Sequence, residues 1–573
     1  MLVALNSFIG AAPRLDPRRL SSAAAQVAIN VDFTDGTLNA IRNIKLVDTL
    51  GAPAASIYKD GATWLGFAGI ASVVRGPVAQ DRLYYTGDGV PKMRVAGTVY
   101  NLALPAPVSA PAVTNLSVPG ASPEEVLYVY TWVTGFGEES QPSPLSAAMD
   151  YTPGVIQRVD TFAATPAGRN ITHRRIYRSQ TTISGATELF FVTEIVVATT
   201  SYDYDATTTP LGDAITTKDF DPPPDTMAGL TQMPNGMMAA FNGKELYFAE
   251  PYQPHAWPEK YVLAVNSDII GLAAFGSSVA VLTREAPYVV QGITPDQMAM
   301  EIVEGGMPCT SGLGIVDVGY SALYPSTEGI MLIGEGRREN VTAAIFTREQ
   351  WAALGPSSII AARHKDQYIF LHTSSAFDLY DGDSAGGWGG ALEQDLEGDG
   401  STLGDPTLYT TLDMGGALSA FGDQKISWVD AFNSANTGLI SSTTAPPIYL
   451  FSDLATNNLY LLDADGVSIH EWAVETESRM VAVWRSKIFT SNHPVAPGAF
   501  YVQTSRAADI GDPFMARVYA DGILIREVSS PNFMHRLPAD KLRREWEIEI
   551  ESTIPVLAVY VANTPDEILV ALQ

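Results

Sequence analysis

Short strand-like segments separated by tight-turn signals recur along almost the whole chain, and this repetition constrains the fold more than any other feature. Examples are "ASIYKDGATWLGFAG", "GMMAAFNGKELYFAEP" and "NNLYLLDADGVSIHEW", in which aromatic and β-branched runs flank a central turn. The turn tips "KDG", "FNG" and "ADG" suit the positive φ values that hairpin turns require. Hairpin therefore follows hairpin, which predicts antiparallel meanders rather than alternating strands and helices.

A four-stranded meander that repeats several times is typical of a β-propeller, in which each meander forms one blade. The 48 glycines and 37 prolines leave little room for long helices. The best short helix candidate is Thr347–Leu354, where Thr347 would cap the first turn and Gln350 would reach back to it. We therefore predict an all-β protein based on a β-propeller. The repeats are too degenerate to give the number of blades.

Two proline-rich connectors suggest that a separate unit is inserted into the propeller. They are Leu104–Gly120 and Asp219–Leu230, and they flank residues 105–222. The strands between them alternate apolar and polar residues, which predicts an immunoglobulin-like or fibronectin-like β-sandwich. Trp132 and Tyr177 are expected in the core of this sandwich.

The last stretch of the chain differs again. In it "EWEIEIEST" alternates glutamate with tryptophan and isoleucine, which is typical of a strand with one solvent-exposed face. With 573 residues the chain is too long for one ordinary core, so we expect several folding units. The predicted division is N-terminal platform strands and first blades at 1–104, the inserted sandwich at 105–222, the remaining blades at 223–481, and a small C-terminal β domain at 482–573.

Charge and hydropathy argue against two classes of function. With 35 lysines and arginines against 63 aspartates and glutamates, the formal net charge is −28. This sign is opposite to that of proteins that grip phosphate backbones, although an acidic wall would let DNA pass without sticking. The longest apolar run, Ile269–Leu282, is too short and too rich in glycine and serine to span a bilayer. We expect no tight nucleic-acid binding and no membrane span.

The sequence carries no recognisable motif for catalysis or cofactor binding. Cys309 is the single cysteine, which excludes an internal disulfide and a cysteine-rich zinc module. The seven histidines lack metal-ligand spacing, and neither a serine-hydrolase elbow nor a P-loop occurs. We therefore expect a protein that is not an enzyme and binds no cofactor. A carboxylate pair for glycoside hydrolysis stays open, because such a pair is defined by its separation in space.

Two stretches remain as candidate sites. The segment Asp381–Gly400 crowds acidic residues among glycines; it could ligate calcium through oxygen atoms, but the favoured interpretation is a long solvated loop. The segment "LYFAEPYQPHAWP" at 246–258 concentrates aromatic residues and prolines. We interpret it as a strand that leaves its meander at a proline corner, with four packing residues, while an exposed sugar-binding platform is the alternative. The packing residues would be Tyr247, Tyr252, His255 and Trp257.

Several of these stretches together resemble the tail nozzle family of tailed bacteriophages, also called tail tubular protein B. The closest resemblance lies in "MAGLTQMPNGMMAAFNGKELYFAEPYQPHAWPEKY", "IIGLAAFGSSVAVLTREAPYVVQG", "CTSGLGIVDVGYSALYPSTEGIMLIG" and "FTREQWAAL", which cover roughly Met227–Leu354. It extends more loosely to "AAQVAINVDFTDGTLNAIRN" and to "RLPADKLRREWEIEIESTIPVLAVYVANTPDEI". These stretches build the fold and carry no catalytic motif.

The resemblance implies a location in the tail of a virion, in a ring that is usually hexameric and surrounds a channel for DNA. It also implies an adaptor ring under the portal as one partner and tail fibres as others, although the insert prevents assignment of fibre-docking residues. Loops would close the channel before ejection. The candidate gate residues, all in the acidic segment, are Asp381, Asp383, Asp395, Glu397 and Asp399.

Two other functions remain open at this stage. One is a carbohydrate-binding or depolymerase-like β-propeller that serves as a tail adhesin, and the other is a head-to-tail connector ring. The resembling stretches build the fold, so they distinguish neither between positions of the ring in the tail nor between a nozzle and an adhesin.

Overall fold

The fold was derived from a computed structural model that describes most of the chain. The described residues are 3–33, 35–181, 187–334, 336–365, 367–372, 447–507, 512–538 and 541–572, together with the backbone of 409–413 and 425–429. Almost all regular structure in them is β-strand, and the two α-helices are short. The prediction of an all-β protein of the propeller type is confirmed.

The described chain divides into two compact units. One contains Met1–Ala68, Arg284–Pro287 and Glu304–Gln573, and the other contains Gly69–Thr283 and Tyr288–Val303. This division differs from the predicted one, because no unit boundary falls near residues 104, 222 or 481. Hydrogen-bonded sheets and shared apolar cores join segments that the sequence analysis had separated.

The second unit holds three four-stranded antiparallel sheets, each made from consecutive strands as in a propeller blade. These blades are β8–β11, β20–β23 and β24–β27 in the numbering below. The strands of the unit are β8 (Ser72–Arg75), β9 (Arg82–Thr86), β10 (Lys92–Val95), β11 (Thr98–Asn101), β12 (Ala112–Asn115), β13 (Glu124–Val126), β14 (Tyr128–Thr134), β15 (Met149–Tyr151), β16 (Gln157–Asp160), β17 (Ile171–Thr181), β18 (Thr187–Val196), β19 (Ser201–Tyr204), β20 (Ala228–Gln232), β21 (Met238–Asn242), β22 (Glu245–Phe248), β23 (Leu263–Ala264), β24 (Ile269–Phe275), β25 (Ser278–Thr283), β26 (Tyr288–Gln291) and β27 (Ala299–Ile302).

The blade strands follow the patterns that their burial requires. In β24 buried and half-buried residues alternate along the strand, whereas all six residues of β25, in the middle of the blade, are buried. Burial that alternates with period two is typical of a strand with one covered face. A continuous buried run is typical of a strand that is covered on both faces.

The insert forms two three-stranded antiparallel sheets, β12–β16–β19 and β14–β17–β18, with the short pair β13–β15 beside them. A single apolar core that includes Tyr128, Trp132 and Tyr204 lies between the sheets. The insert is therefore a β-sandwich. Trp132 lies in this core as expected, whereas Tyr177 is buried in a separate small cluster with Val129 and Ile215.

The first unit also contains blade-like sheets. The sheet β28–β31 is a four-stranded meander, and β36–β37–β38 is completed by the N-terminal strand β5. The N-terminal strands of this unit are β1 (Val3–Leu5), β2 (Ala25–Ile29), β3 (Val31–Asp32), β4 (Asn39–Ala40), β5 (Lys45–Thr49), β6 (Ser56–Asp60) and β7 (Thr63–Phe67). The remaining strands are β28 (Val316–Asp317), β29 (Ser321–Pro325), β30 (Ile330–Gly334), β31 (Arg337–Asn340), β32 (Ile360–His364), β33 (Gln367–Leu371), β34 (Tyr409–Asp413), β35 (Lys425–Val429), β36 (Tyr449–Asp453), β37 (Asn458–Leu462), β38 (Ser468–Glu471), β39 (Ala482–Ser486), β40 (Phe489–Val495), β41 (Ala499–Thr504), β42 (Phe514–Ala520), β43 (Ile523–Val528), β44 (His535–Arg536), β45 (Arg543–Ser552) and β46 (Val556–Ala562).

The C-terminal segment is not the separate small domain that was predicted. Its strands β39, β45, β42 and β43 continue a sheet that also contains β32–β35 and the N-terminal strand β2, and β1 pairs with β46. One apolar core runs from Val3 through Val316 to Val561. The segment cannot close on itself because strands from the other end of the chain complete both of its sheets.

The strand β45 was expected to have one solvent-exposed face, and this expectation is wrong. Glu547 and Glu549 are only 2% and 7% exposed. Arg485 pairs with both carboxylates, at 3.2 and 3.4 Å, and Arg517 pairs with Glu549 at 2.7 Å. Arginines on neighbouring strands thus neutralise these two glutamates and cover them.

One of the two described helices was predicted, and it begins and ends where the sequence indicates. The helix α1 (Arg348–Ala353) has the predicted capping box, in which the Thr347 side chain accepts from the Gln350 amide and the Gln350 side chain bonds the Thr347 amide. The helix α2 (Pro565–Ala571) follows β46. Five 3₁₀ turns are described, at Pro234–Gly236, Glu259–Tyr261, Pro295–Gln297, Gly312–Gly314 and Pro356–Ser358.

Candidate functional site: the junction between the inserted sandwich and a blade

The aromatic corner after β22 is a tight, internally bonded loop. The amide of Glu250 donates to the carbonyl of Ala256 at 2.9 Å, and the amide of Ala256 donates to Gln253 at 2.9 Å. The amide of Tyr252 donates to Gly236 at 3.0 Å, which ties the corner to the turn before β21. Backbone hydrogen bonds therefore help to hold the corner together and to fix it against the preceding turn.

Trp257 is a packing residue. It is 1% exposed and lies in an apolar cluster with Tyr84, Met227 and Leu230. Its indole N–H donates to the carbonyl of Pro254 at 2.8 Å, so the polar end of the ring is satisfied. A ring in this position cannot stack on a sugar.

Tyr252 is not buried, which corrects its predicted packing role. The residue is 56% exposed and its φ is +59°, a left-handed conformation that turns the side chain outwards. The ring covers Gly236, whose own φ is +73°; a Cβ atom there would approach the Tyr252 ring to 2.6 Å. The positive φ of Gly236 favours glycine at this position, because L side chains rarely adopt that conformation. Tyr247 is half-buried, and its hydroxyl donates to Glu245 at 2.5 Å.

His255 lies at the contact between the corner and the insert. It is 1% exposed, and its Nε2 lies 3.0 Å from the carbonyl oxygen of Glu139. A carbonyl can only accept, so Nε2 carries the hydrogen, and Nδ1 has no partner among the described residues. Burial lowers the pKa of His255 below its usual value, against the opposing influence of the Glu138 carboxylate. His255 is therefore neutral at pH 7.

A buried ion pair lies beside His255. The guanidinium of Arg169 bonds the carboxylate of Glu138, and the two side chains are 1% and 7% exposed. Arg169 also donates to the carbonyl of Asn101 at 2.8 Å, and Thr134 donates to Glu138 at 3.0 Å. Within the described part of the chain, Glu138 Oε1 and Arg169 Nε have no hydrogen-bond partner. Burial lowers the pKa of Arg169, but Glu138 keeps it charged.

Glu139 carries a second, fully bonded carboxylate on the same turn. Its Oε1 accepts from the hydroxyls of Thr131 and Tyr177, each at 2.7 Å, and its Oε2 accepts from Arg175 at 2.5 Å. This carboxylate is fixed by the two neighbouring strands β14 and β17. Its backbone carbonyl is thereby held in place as the acceptor for His255.

The connector that leads from the insert back to the blade completes the contact. The amide of Trp257 donates to the carbonyl of Asp221 at 2.7 Å, and the side chain of Gln141 donates to the Asp221 carboxylate at 2.6 Å. The Phe220 ring lies edge-on to His255, with ring centroids 5.9 Å apart. We call this whole contact the junction. Its core members are His255, Glu138, Glu139, Arg169 and Tyr84, the last with a pKa raised to about 12 by burial.

The sequence analysis named the corner residues only as packing residues and predicted no contact between the corner and the insert. The turn "GFGEES" at 135–140 supplies both glutamates, and only a charged pair set inside an apolar strand context could have indicated their burial. The five candidate gate residues, Asp381, Asp383, Asp395, Glu397 and Asp399, lie outside the described residues. In the described part, no cluster of three histidine, cysteine or acidic residues is arranged to hold a metal ion.

The junction has the chemistry of a structural contact, in which His255 is the group whose ordinary pKa lies closest to neutral pH. Cys309, the single thiol, is buried, and burial raises its pKa to about 12. The two α-helices are six and seven residues long, and none of the described helices could cross a membrane.

Comparison with known proteins adds little. No family model matches this chain, and no curated protein is significantly similar to it. A crystal structure of the eukaryotic initiation factor shares 10% identity over 84% of this chain and 91% of its own, at a TM-score of 0.21. BBS1N in complex with ARL6DN shares 8% identity over 76% and 98%, at 0.19, and the AfRom2 CNH domain shares 8% over 44% and 89%, at 0.13. Structural similarity this weak carries no argument about function.

Proposed function

We propose that this chain is a structural subunit of a bacteriophage tail, which forms a nozzle ring around a channel that retains and then conducts genomic DNA. The observation that carries the proposal is where the family-like stretches lie. The stretch that begins at Met227 ends at Tyr261 and forms β20–β22, the next forms β24–β26, and the third forms β28–β30. The resembling stretches thus supply three strands to each of three sheets that follow one another along the chain.

The charge of the chain is compatible with such a channel. Six copies at −28 each give a formal charge of −168. A channel wall of that sign would repel the phosphate backbone and would let DNA slide without sites of arrest. The partners in this proposal are five further copies, an adaptor or portal ring, and tail fibres, in the tail of a virion.

The buried position of Trp257 weighs against the adhesin alternative at the aromatic corner. That alternative requires exposed, roughly coplanar rings, whereas Trp257 is 1% exposed. The proposal assigns the corner a packing role instead.

Electron microscopy of the purified protein and light scattering test the proposal together. We expect rings with an axial hole and a mass near six times 61.4 kDa. Monomers at concentrations in the micromolar range, with no rings on purified virions, would refute the nozzle. Tight binding of duplex DNA at physiological salt would refute the repulsive channel while leaving the ring itself standing.

A further inference from the structure

The junction contains one group that can change its charge near neutral pH, His255, enclosed by groups of fixed charge. The corner contributes the imidazole, and the insert contributes the Glu138–Arg169 pair. Both members of that pair act electrostatically on His255 and on Tyr84 of β9. The four side chains therefore share one buried region, at the place where the insert meets the blades.

Several buried polar atoms of this region have no hydrogen-bond partner among the described residues. Among the described residues, His255 Nδ1, Glu138 Oε1 and Arg169 Nε each lack a partner, although each atom is buried. Buried polar atoms without partners reduce the stability of a contact. The contact is consequently sensitive to any change in the charge of its members.

We propose that His255 is a pH switch of the junction: the neutral imidazole holds the inserted sandwich against the blade, and protonation in mild acid loosens that contact. The neutral form fits because Nε2–H meets the carbonyl of Glu139 and the ring edge meets Phe220. The protonated form places a second N–H and a positive charge in a buried setting that also contains the guanidinium of Arg169.

The charged groups that face His255 do not cancel the cost of protonating its buried ring. Glu138 favours the protonated ring, and Arg169 opposes it. Arg82, on β9, adds a second positive charge close to Arg169 and Tyr84. Glu139 presents its carbonyl to the ring, while its carboxylate is occupied by Arg175, Tyr177 and Thr131. Burial is the largest influence, and it lowers the pKa of His255.

The direction of the pH effect follows from that lowered pKa. When the junction opens, the imidazole is hydrated and regains a pKa near 6.5. The contact is therefore fully stable above about pH 6.5 and loses stability as the pH falls below that value. From pH 7.5 to pH 5.5, the population of the open junction rises by up to about tenfold, because one proton binds the open form preferentially.

Amide hydrogen exchange of the full chain, read by mass spectrometry at pH 7.5 and 5.5 and corrected for intrinsic exchange rates, tests the proposal. We expect peptides around 134–140 and 250–257 to exchange up to about tenfold faster at pH 5.5. His255→Gln keeps a donor for the Glu139 carbonyl but cannot take up a proton, so the acid effect should disappear. His535→Gln is the matched control, because Nε2 of this half-exposed histidine also lies 2.8 Å from a carbonyl, that of Ser530.

Two results would overturn the inference. One is equal protection of the junction peptides at both pH values in the wild type, and the other is an acid effect that persists in His255→Gln. If His255→Gln does not fold at pH 7.5, hydrogen exchange at the imidazole C2 position in the wild type decides instead. That measurement gives the pKa of each histidine, and a value for His255 at or above that of His535 refutes the switch. None of these outcomes depends on the proposed function.

Discussion

Replacing Arg169 by methionine should strongly destabilise the inserted sandwich and its junction. The change removes the cation beside Glu138 in a pair whose side chains are 1% and 7% exposed. The carboxylate of Glu138 then stays buried, and among the described side chains only Thr134 still donates a hydrogen bond to it, at 3.0 Å. Breaking a buried ion pair by removing one partner typically costs about 3–5 kcal/mol. We expect a loss of that size in the free energy of unfolding.

The second half of this prediction concerns the double variant. Arg169→Met combined with Glu138→Met removes both charges and leaves side chains of similar length, so most of the lost stability should return. The matched control is Arg158→Met, on the same sandwich. Arg158 is bonded to Asp203 at 2.7 and 2.8 Å, but both side chains are exposed, so its replacement should have no measurable effect.

Urea unfolding followed by intrinsic fluorescence measures the three variants, and hydrogen exchange locates the effect, since a chain of several units need not unfold in one step. The loss should appear in the peptides of the insert and the corner. A cost for Arg169→Met below about 1 kcal/mol would show that the pair is hydrated rather than buried. A double variant as unstable as the single one would show that the cost arises from packing and not from the unpaired charge.

Three further predictions concern packing, acid stability and the undescribed acidic segment. Trp257→Ala should lower the free energy of unfolding by about 3–5 kcal/mol whether or not a polysaccharide is present, and unchanged thermal stability would contradict its placement in the core. Burial lowers the pKa values of His364 and His372 to about 4. The protein should therefore have its full stability above about pH 6.5 and lose it progressively between pH 6.5 and 4, by up to about 3 kcal/mol for each histidine. A melting temperature that is constant over this pH range would refute this prediction. If the chain forms the proposed nozzle ring, shortening Asp381–Gly400 should leave ring assembly intact but make particles leak DNA or fail to eject it. Normal retention with normal ejection would contradict the assignment of the gate to this segment.

The sequence by itself determined the local features of this protein. Turn residues such as Gly61 and Gly243 have the positive φ values expected at hairpin tips. The capping box of Thr347 and Gln350 formed as predicted. These features depend on interactions between residues a few positions apart, so they can be inferred without knowledge of the rest of the chain.

The tertiary structure alone decided which distant segments pair and which polar groups are covered. Thr49 lies opposite Ser468, so an N-terminal strand completes a C-terminal sheet, and no local pattern encodes that partner. Glu547 reads as a solvent-exposed residue but is buried beneath Arg485, and Glu138 reads as part of a turn but lies in an ion pair with Arg169. Whether a charge is hydrated or enclosed depends on what the folded chain brings over it, because desolvation is a property of the whole three-dimensional environment.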